Sequence, residues 1–201
     1  MKKYLATILV SLMTISATSA QNISLPSPDK KGGPSVLEAI ENRSSAHGNS
    51  FPQGNISEKE LSVLLWAASG HNRQGKGWVV PTAMNKDPYV TIYILGKEGV
   101  FRYQRDNHSL DKVSDKDIRG SISPQAFVGS APYILIYTTE KSGIELGATL
   151  VGAMTQNIYM ASQALNIGVR YMMTMKADIV REELKLKESE QPLSILPIGH
   201  Y

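Results

Sequence analysis

Apolar positions along this chain recur with two different periods, and each change of period marks an element. Leu61, Leu64, Leu65 and Ala68 fall on one face at helical spacing. They predict a helix that runs to Ser69 and stops at Gly70. Its start is signalled by Ser57 with Glu60 as a capping box, and by Ile56 and Leu61 as a hydrophobic staple. A shorter helix begins at Ser35, with Glu38 completing a second capping box and Val36, Leu37 and Ile40 as its apolar side, and ends near Asn42. The longest helix is predicted over 145–165, where Leu146, Leu150, Met154 and Ile158 form an i, i+4 row. Strand patterning governs 89–95, which the turn Gly96-Lys97-Glu98-Gly99 folds back into 100–103 as a hairpin. The run 132–139 is almost continuously apolar, as in a central strand buried on both faces. Further strands are predicted at 169–175 and 193–198, a short helix capped by Ser114 over 115–120, and a charged surface helix over 179–187. There is no internal repeat and no strict βαβ alternation. The class is therefore α+β, a mixed sheet packed with helices.

The first twenty residues stand apart. Lys2 and Lys3 precede an apolar run over 4–15, and Ser16-Ala17-Thr18-Ser19-Ala20 supplies small residues for cleavage before Gln21. This is the layout of a secretory signal peptide, cleaved after Ala20, and predicts a periplasmic or secreted protein. The run is shorter than the ~20 residues that span a bilayer, so no membrane association is expected after cleavage. Residues 21–33, rich in Pro, Ser, Gly and Lys, read as a flexible leader, and 34–201 as one domain. The chain has no cysteine, which excludes disulfides, thiolate metal sites and a cysteine nucleophile. Its formal charge of +3 falls to +1 without Lys2 and Lys3, and the interspersed charges give no footprint for nucleic acid.

Two motifs carry candidate chemistry. Arg43-Ser44-Ser45-Ala46-His47 combines two basic groups four apart with hydroxyls between, either a phosphate grip or a solvated arginine in a Ser-rich connection. Pro81-Thr82-Ala83-Met84-Asn85 reads as a turn entering a strand, or as hydroxyl and amide groups for the polar edge of a heteroaromatic ring. His47, His71, His108 and His200 lack metal-ligand spacing. No dinucleotide fingerprint, phosphate-binding loop or nucleophile elbow occurs.

In order and spacing, several segments over about 35–199 together resemble the nitroreductase family. Arg43-Ser44-Ser45-Ala46-His47 is similar to the family's Arg-x-Ser-x-Arg/Lys signature. Leu64-Leu65-Trp66-Ala67-Ala68-Ser69-Gly70-His71-Asn72-Arg73 resembles Leu-Leu-Trp-Ala-Ala-x-Gly-x-Asn-Arg of the branch that includes azoline-oxidising dehydrogenases. Pro81-Thr82-Ala83-Met84-Asn85-Lys86-Asp87-Pro88-Tyr89 is similar to Pro-Ser-x-x-Asn-x-Gln-Pro-Trp. Gln156-Asn157 looks like the family's Gln-Asn pair, and Ala164-Leu165-Asn166-Ile167-Gly168 its Ala-x-Gly-Leu-Gly. The resemblance implies a nitroreductase-like, mostly antiparallel α+β homodimer with flavin mononucleotide (FMN) at the subunit interface. It places Arg43, Ser45 and His47 at the phosphate and ribityl end. Thr82, Ala83, Asn85 and Asp87 would line the ring and ribityl chain, and the backbone of Gly168, Val169 and Arg170 would approach the reactive nitrogen. No separate catalytic side chain and no metal are expected. The implied activity is hydride transfer through flavin to or from a small molecule or peptide; the alternative is a non-catalytic binder of flavin or another planar ligand. Three departures stand out. His47 replaces a fixed cation, Asp87 a neutral glutamine, and downstream basic residues found in many relatives are missing by Tyr201.

Overall fold

A computed structural model describes residues 22–83 and 86–201. The expected signal segment lies outside the described residues, as do Met84 and Asn85. Seven strands form one sheet: β1 (Asn22–Ser24), β4 (Val90–Gly96), β5 (Gly99–Gln104), β6 (Ser109–Ser114), β7 (Tyr133–Glu140), β8 (Ile167–Val169) and β9 (Glu190–His200). The order is β1-β6-β5-β4-β7-β9-β8, and every ladder is antiparallel. A two-stranded hairpin, β2 (His71–Asn72) with β3 (Gly77–Trp78), stands apart from it. The helices are α1 (Val36–Asn42), α2 (Glu58–Ser69), α3 (Ala126–Ser130), α4 (Ile144–Leu165) and α5 (Ala177–Glu183). The fold class is the α+β one expected.

The period-two rule explains why the central strands are apolar throughout. On β7, Leu135 and Tyr137 enter the core beneath α2 and α4, while Ile134 and Ile136 enter the opposite core beside Val128 and Val180. Ile92 and Ile94 of β4 likewise face the first core, with Tyr93 and Leu95 on the second. Both faces are thus buried, so neither can be polar. The helix α2 starts on the reciprocal Ser57–Glu60 bonds, and Leu61, Leu64, Leu65 and Ala68 are buried against α4. Gly70 ends it with an extended backbone; a Cβ there would lie 2.3 Å from the Trp66 ring. Its role is thus close approach.

Several sequence expectations change. Within the expected flexible leader, Asn22–Ser24 pair with β6 and Leu25 is buried, because β6 offers a free edge and an apolar slot. Residues 115–120 are not helical: the Ser114 hydroxyl accepts from Lys116 N, and Asp117 accepts from Arg119 N. These local bonds compete with helix formation. The strand predicted at 169–175 is regular only to Val169: Arg170 N donates to Pro197 O but Pro197 has no N–H to return, and pairing with β9 resumes only as an isolated bridge between Met172 and Ile195. α3 and β6 are additional elements. On α1, Val36, Leu37 and Ile40 are exposed, as are Ile144 and Leu146 of α4. The apolar rows at these helix positions therefore point out of the single chain.

Candidate functional site

The segment 43–47 runs extended between α1 and the turn that follows it, with Arg43 at φ −58°, ψ 119° and His47 at φ −76°, ψ 138°. Ala46 is buried and its N–H donates to Val169 O at 2.9 Å. Alternation then turns Arg43, Ser45 and His47 to the other side. Arg43 lies over the Tyr159 ring, 5.2 Å from its centroid, and Ser45 Oγ is 2.8 Å from the Tyr159 hydroxyl. Tyr159, from the middle of α4, is buried. At the far end of the segment, Arg170 Nη1 donates to Ala46 O at 2.9 Å and its guanidinium stacks over Phe127. His47 and Arg170 share a cavity of about 860 Å³ with Phe127 and Gln125. The segment thus carries Arg43 and Ser45 at Tyr159 and His47 beside Arg170 at its other end, donor types suited to an oxyanion.

Gly168 and Val169 are both buried. A Cβ on Gly168 would lie 2.3 Å from Pro52, so tight packing of β8 already requires a glycine there.

Thr82 and Asp87 line a different cavity, of about 790 Å³, with His71, Arg73, Lys76 and Trp78. Ala83 is exposed beside it, and Asn85 lies outside the described residues. Arg105, from the turn after β5, pins the end of this segment by donating to Pro88 O and Val90 O. Burial draws the Arg105 pKa below its ordinary value, while Asp106, Tyr103 and Asp87 oppose that effect. Asn157 donates from α4 to Ala67 O and Val79 O at 3.0 and 3.3 Å, fixing the chain just before Pro81. The two cavities share no lining residue, so one chain presents the expected contacts as two separate groups.

Tyr159, Arg105 and the His71–Trp78 stack (centroids 3.9 Å apart, 28° between planes) were not expected from the sequence. Tyr159 follows Ile158 on the same helix, and its hydroxyl on a nearly apolar face is the signal that marks it. Arg105 has no local signature, since its partners are backbone carbonyls. No group of three or more His, Cys, Asp or Glu able to hold a metal occurs among the described residues.

Comparison with known proteins bears on the family and the fold. A nitroreductase-like protein of Methanocaldococcus jannaschii is 28% identical over 159 residues, covering 70% of this chain and 79% of that protein. A crystal structure of a nitroreductase-like protein from Ralstonia eutropha superposes with a TM-score of 0.80 at 28% identity, covering 99% of this chain and 95% of that one. A Desulfovibrio desulfuricans protein of the same kind, solved in complex with FMN, gives a TM-score of 0.61 at 17% identity over 84% and 87% of the two chains. The family model described as the nitroreductase family matches residues 41–200, which hold both motif segments and all but the first strand of the main sheet. The chain therefore belongs to the nitroreductase family.

Proposed function

We propose that this protein is an exported, FMN-dependent oxidoreductase that works as a homodimer and passes hydride to or from a small molecule or peptide. The observation that carries this reading is the ridge at 43–47, where Arg43, Ser45, His47 and Arg170 concentrate donors suited to a phosphate dianion. The residues present thus fit the group. When bound, the flavin supplies two-electron hydride chemistry. The chain's own residues do the rest. Arg43 contributes a delocalised charge held over Tyr159, and Ser45 a hydroxyl oriented by the same phenol. Thr82 and Asp87 contribute polar contacts at the ring from the second cavity. Their separation on one chain favours a dimer in which each cleft draws on both copies. The exposed Val36, Leu37 and Ile40 of α1 and Leu146 of α4 supply an apolar surface for it. The membership of the nitroreductase family and the FMN complex of one structural neighbour support the cofactor.

Asp87 favours a second reading. An ionised carboxylate accepts hydrogen bonds but donates none, so a site built around it holds a planar ligand without favouring its reduction. The test is a titration of the purified mature protein with FMN, followed by visible absorbance. Bound flavin that cycles between oxidised and reduced forms with an added donor supports the oxidoreductase. Bound flavin that no donor reduces supports the binder, and no bound flavin at micromolar protein defeats both flavin readings. Arg43→Ala is expected to weaken FMN binding about tenfold or more, as loss of a charge-assisted hydrogen bond does.

A further inference from the structure

The turn after Asn72 plays no part in the flavin contacts above, yet Arg73 and Gln74 are consecutive non-glycine residues with positive φ. Arg73, Gln74 and Gly75 have successive φ values of 47°, 59° and 83°. Non-glycine residues in the left-handed region cost on the order of 1–3 kcal/mol each and persist where the surroundings enforce them. Here the enforcement is visible. His71 pairs with Trp78 and Asn72 with Gly77, Val79 N donates to Gly70 O at 3.0 Å, and Trp66 Nε1 donates to His71 O at 2.8 Å. The strained turn folds the Arg73 side chain back across the hairpin. A Cβ on Gly77 would lie only 1.7 Å from Arg73 Nη2, so the glycine is what leaves room for the guanidinium.

This places Arg73 and Lys76 on the wall of the 790 Å³ cavity that also holds Thr82 and Asp87. Trp78, stacked on His71, adds a flat aromatic surface, and the His71 imidazole is itself turned toward Asp106 at 3.5 Å. The lining thus combines a planar surface, two basic side chains and one carboxylate. We propose that the hairpin at 71–78 is a substrate-recognition element selecting planar substrates with an oxyanion, carboxylate or phosphate, and that Arg73 is the residue that binds this group. The inference rests on reading Thr82 and Asp87 as ring-side residues, which would set the anion beside the redox centre. A guanidinium fork matches either oxyanion bidentately, whereas a neutral isostere leaves it unpaired.

The experiment is isothermal titration of the full-length mature protein, with and without FMN, using benzoate, phenyl phosphate and the neutral isostere benzamide. One or both anions are expected to bind about tenfold more tightly than benzamide. Preference for benzoate alone identifies a carboxylate substrate, and preference for phenyl phosphate alone a phosphate. Arg73→Gln is expected to abolish the preference and Arg73→Lys to keep part of it. Gly77→Ala leaves the charge intact but displaces the guanidinium, and is expected to lose the preference as well. Equal or absent binding of anions and benzamide, or a preference that survives Arg73→Gln, overturns the proposal. If FMN does not bind the wild type, the flavin reading fails, while the anion preference is still read from the titrations without FMN.

Discussion

The hydroxyl of Tyr159 lies 2.8 Å from Ser45 Oγ, joining the middle of the longest helix to a loop 114 residues away in sequence. The same phenol accepts from Tyr171 N at 3.0 Å, so one atom ties α4 to both sides of the candidate phosphate ridge. Tyr159→Phe would leave a backbone N–H and a serine hydroxyl without that partner. A loss of about 1–3 kcal/mol in stability is expected, read as a lower urea midpoint with an unchanged m-value. FMN affinity should fall in parallel, because Ser45 is no longer oriented. Unchanged affinity would show that the phenol serves folding alone.

Leu37 is 77% exposed, with Val36 and Ile40 exposed beside it on α1. If this face meets a second copy, Leu37→Asp buries a charge there and shifts the protein toward monomer. Sedimentation or light scattering at micromolar concentration reads the change. A wild type that is already monomeric refutes the dimer.

His108 accepts or donates at both ring nitrogens, to Ser62 Oγ and to the Tyr103 hydroxyl, each at 2.7 Å. Burial draws its pKa below the ordinary histidine value, helped by Lys30 and opposed by a bond to Pro26. The folded state thus holds the neutral imidazole where the unfolded chain is already protonated. Stability is fully present above the ordinary value near ~6.5 and falls as pH drops below it toward the folded-state pKa. His108→Asn, chosen because asparagine tolerates the φ of 50° found here, should flatten this dependence between about pH 7 and 5. Urea midpoints for both proteins across that range decide it.

Asn157 bridges Ala67 O and Val79 O. Asn157→Leu keeps the size but leaves two carbonyls without its amide, at a cost of about 1–3 kcal/mol. For a domain of this size that corresponds to a fall in melting temperature of about 2–4 °C per kcal/mol. An unchanged melt would mean that the link between α4 and the entry to Pro81 is dispensable.

Much of the architecture was legible because it rests on local rules. Both capping boxes, the α2 face, the β4–β5 hairpin and the doubly buried β7 follow from side-chain periodicity and short-range hydrogen bonds. The elements that escaped depend on distant partners. β1 exists because β6 has a free edge, and the strand after Gly168 is interrupted where its partner on β9 is Pro197, which has no N–H to donate. The 115–120 helix failed for the opposite reason, since serine and aspartate bonds to the next turn outcompeted it.

The candidate site divides along the same line. The sequence alone determined which residue types were available, Arg43, Ser45, His47, Thr82 and Asp87, and, through their order, the family to which they belong. Tertiary structure decided their company. It set Arg43 and Ser45 on Tyr159, joined His47 to Arg170, and sent Thr82 and Asp87 to a separate cavity walled by Arg73 and Lys76. The physical reason is range. Helix faces and caps are fixed within a few residues, whereas a binding site is assembled from side chains that only the packing of a sheet against its helices brings within hydrogen-bond distance.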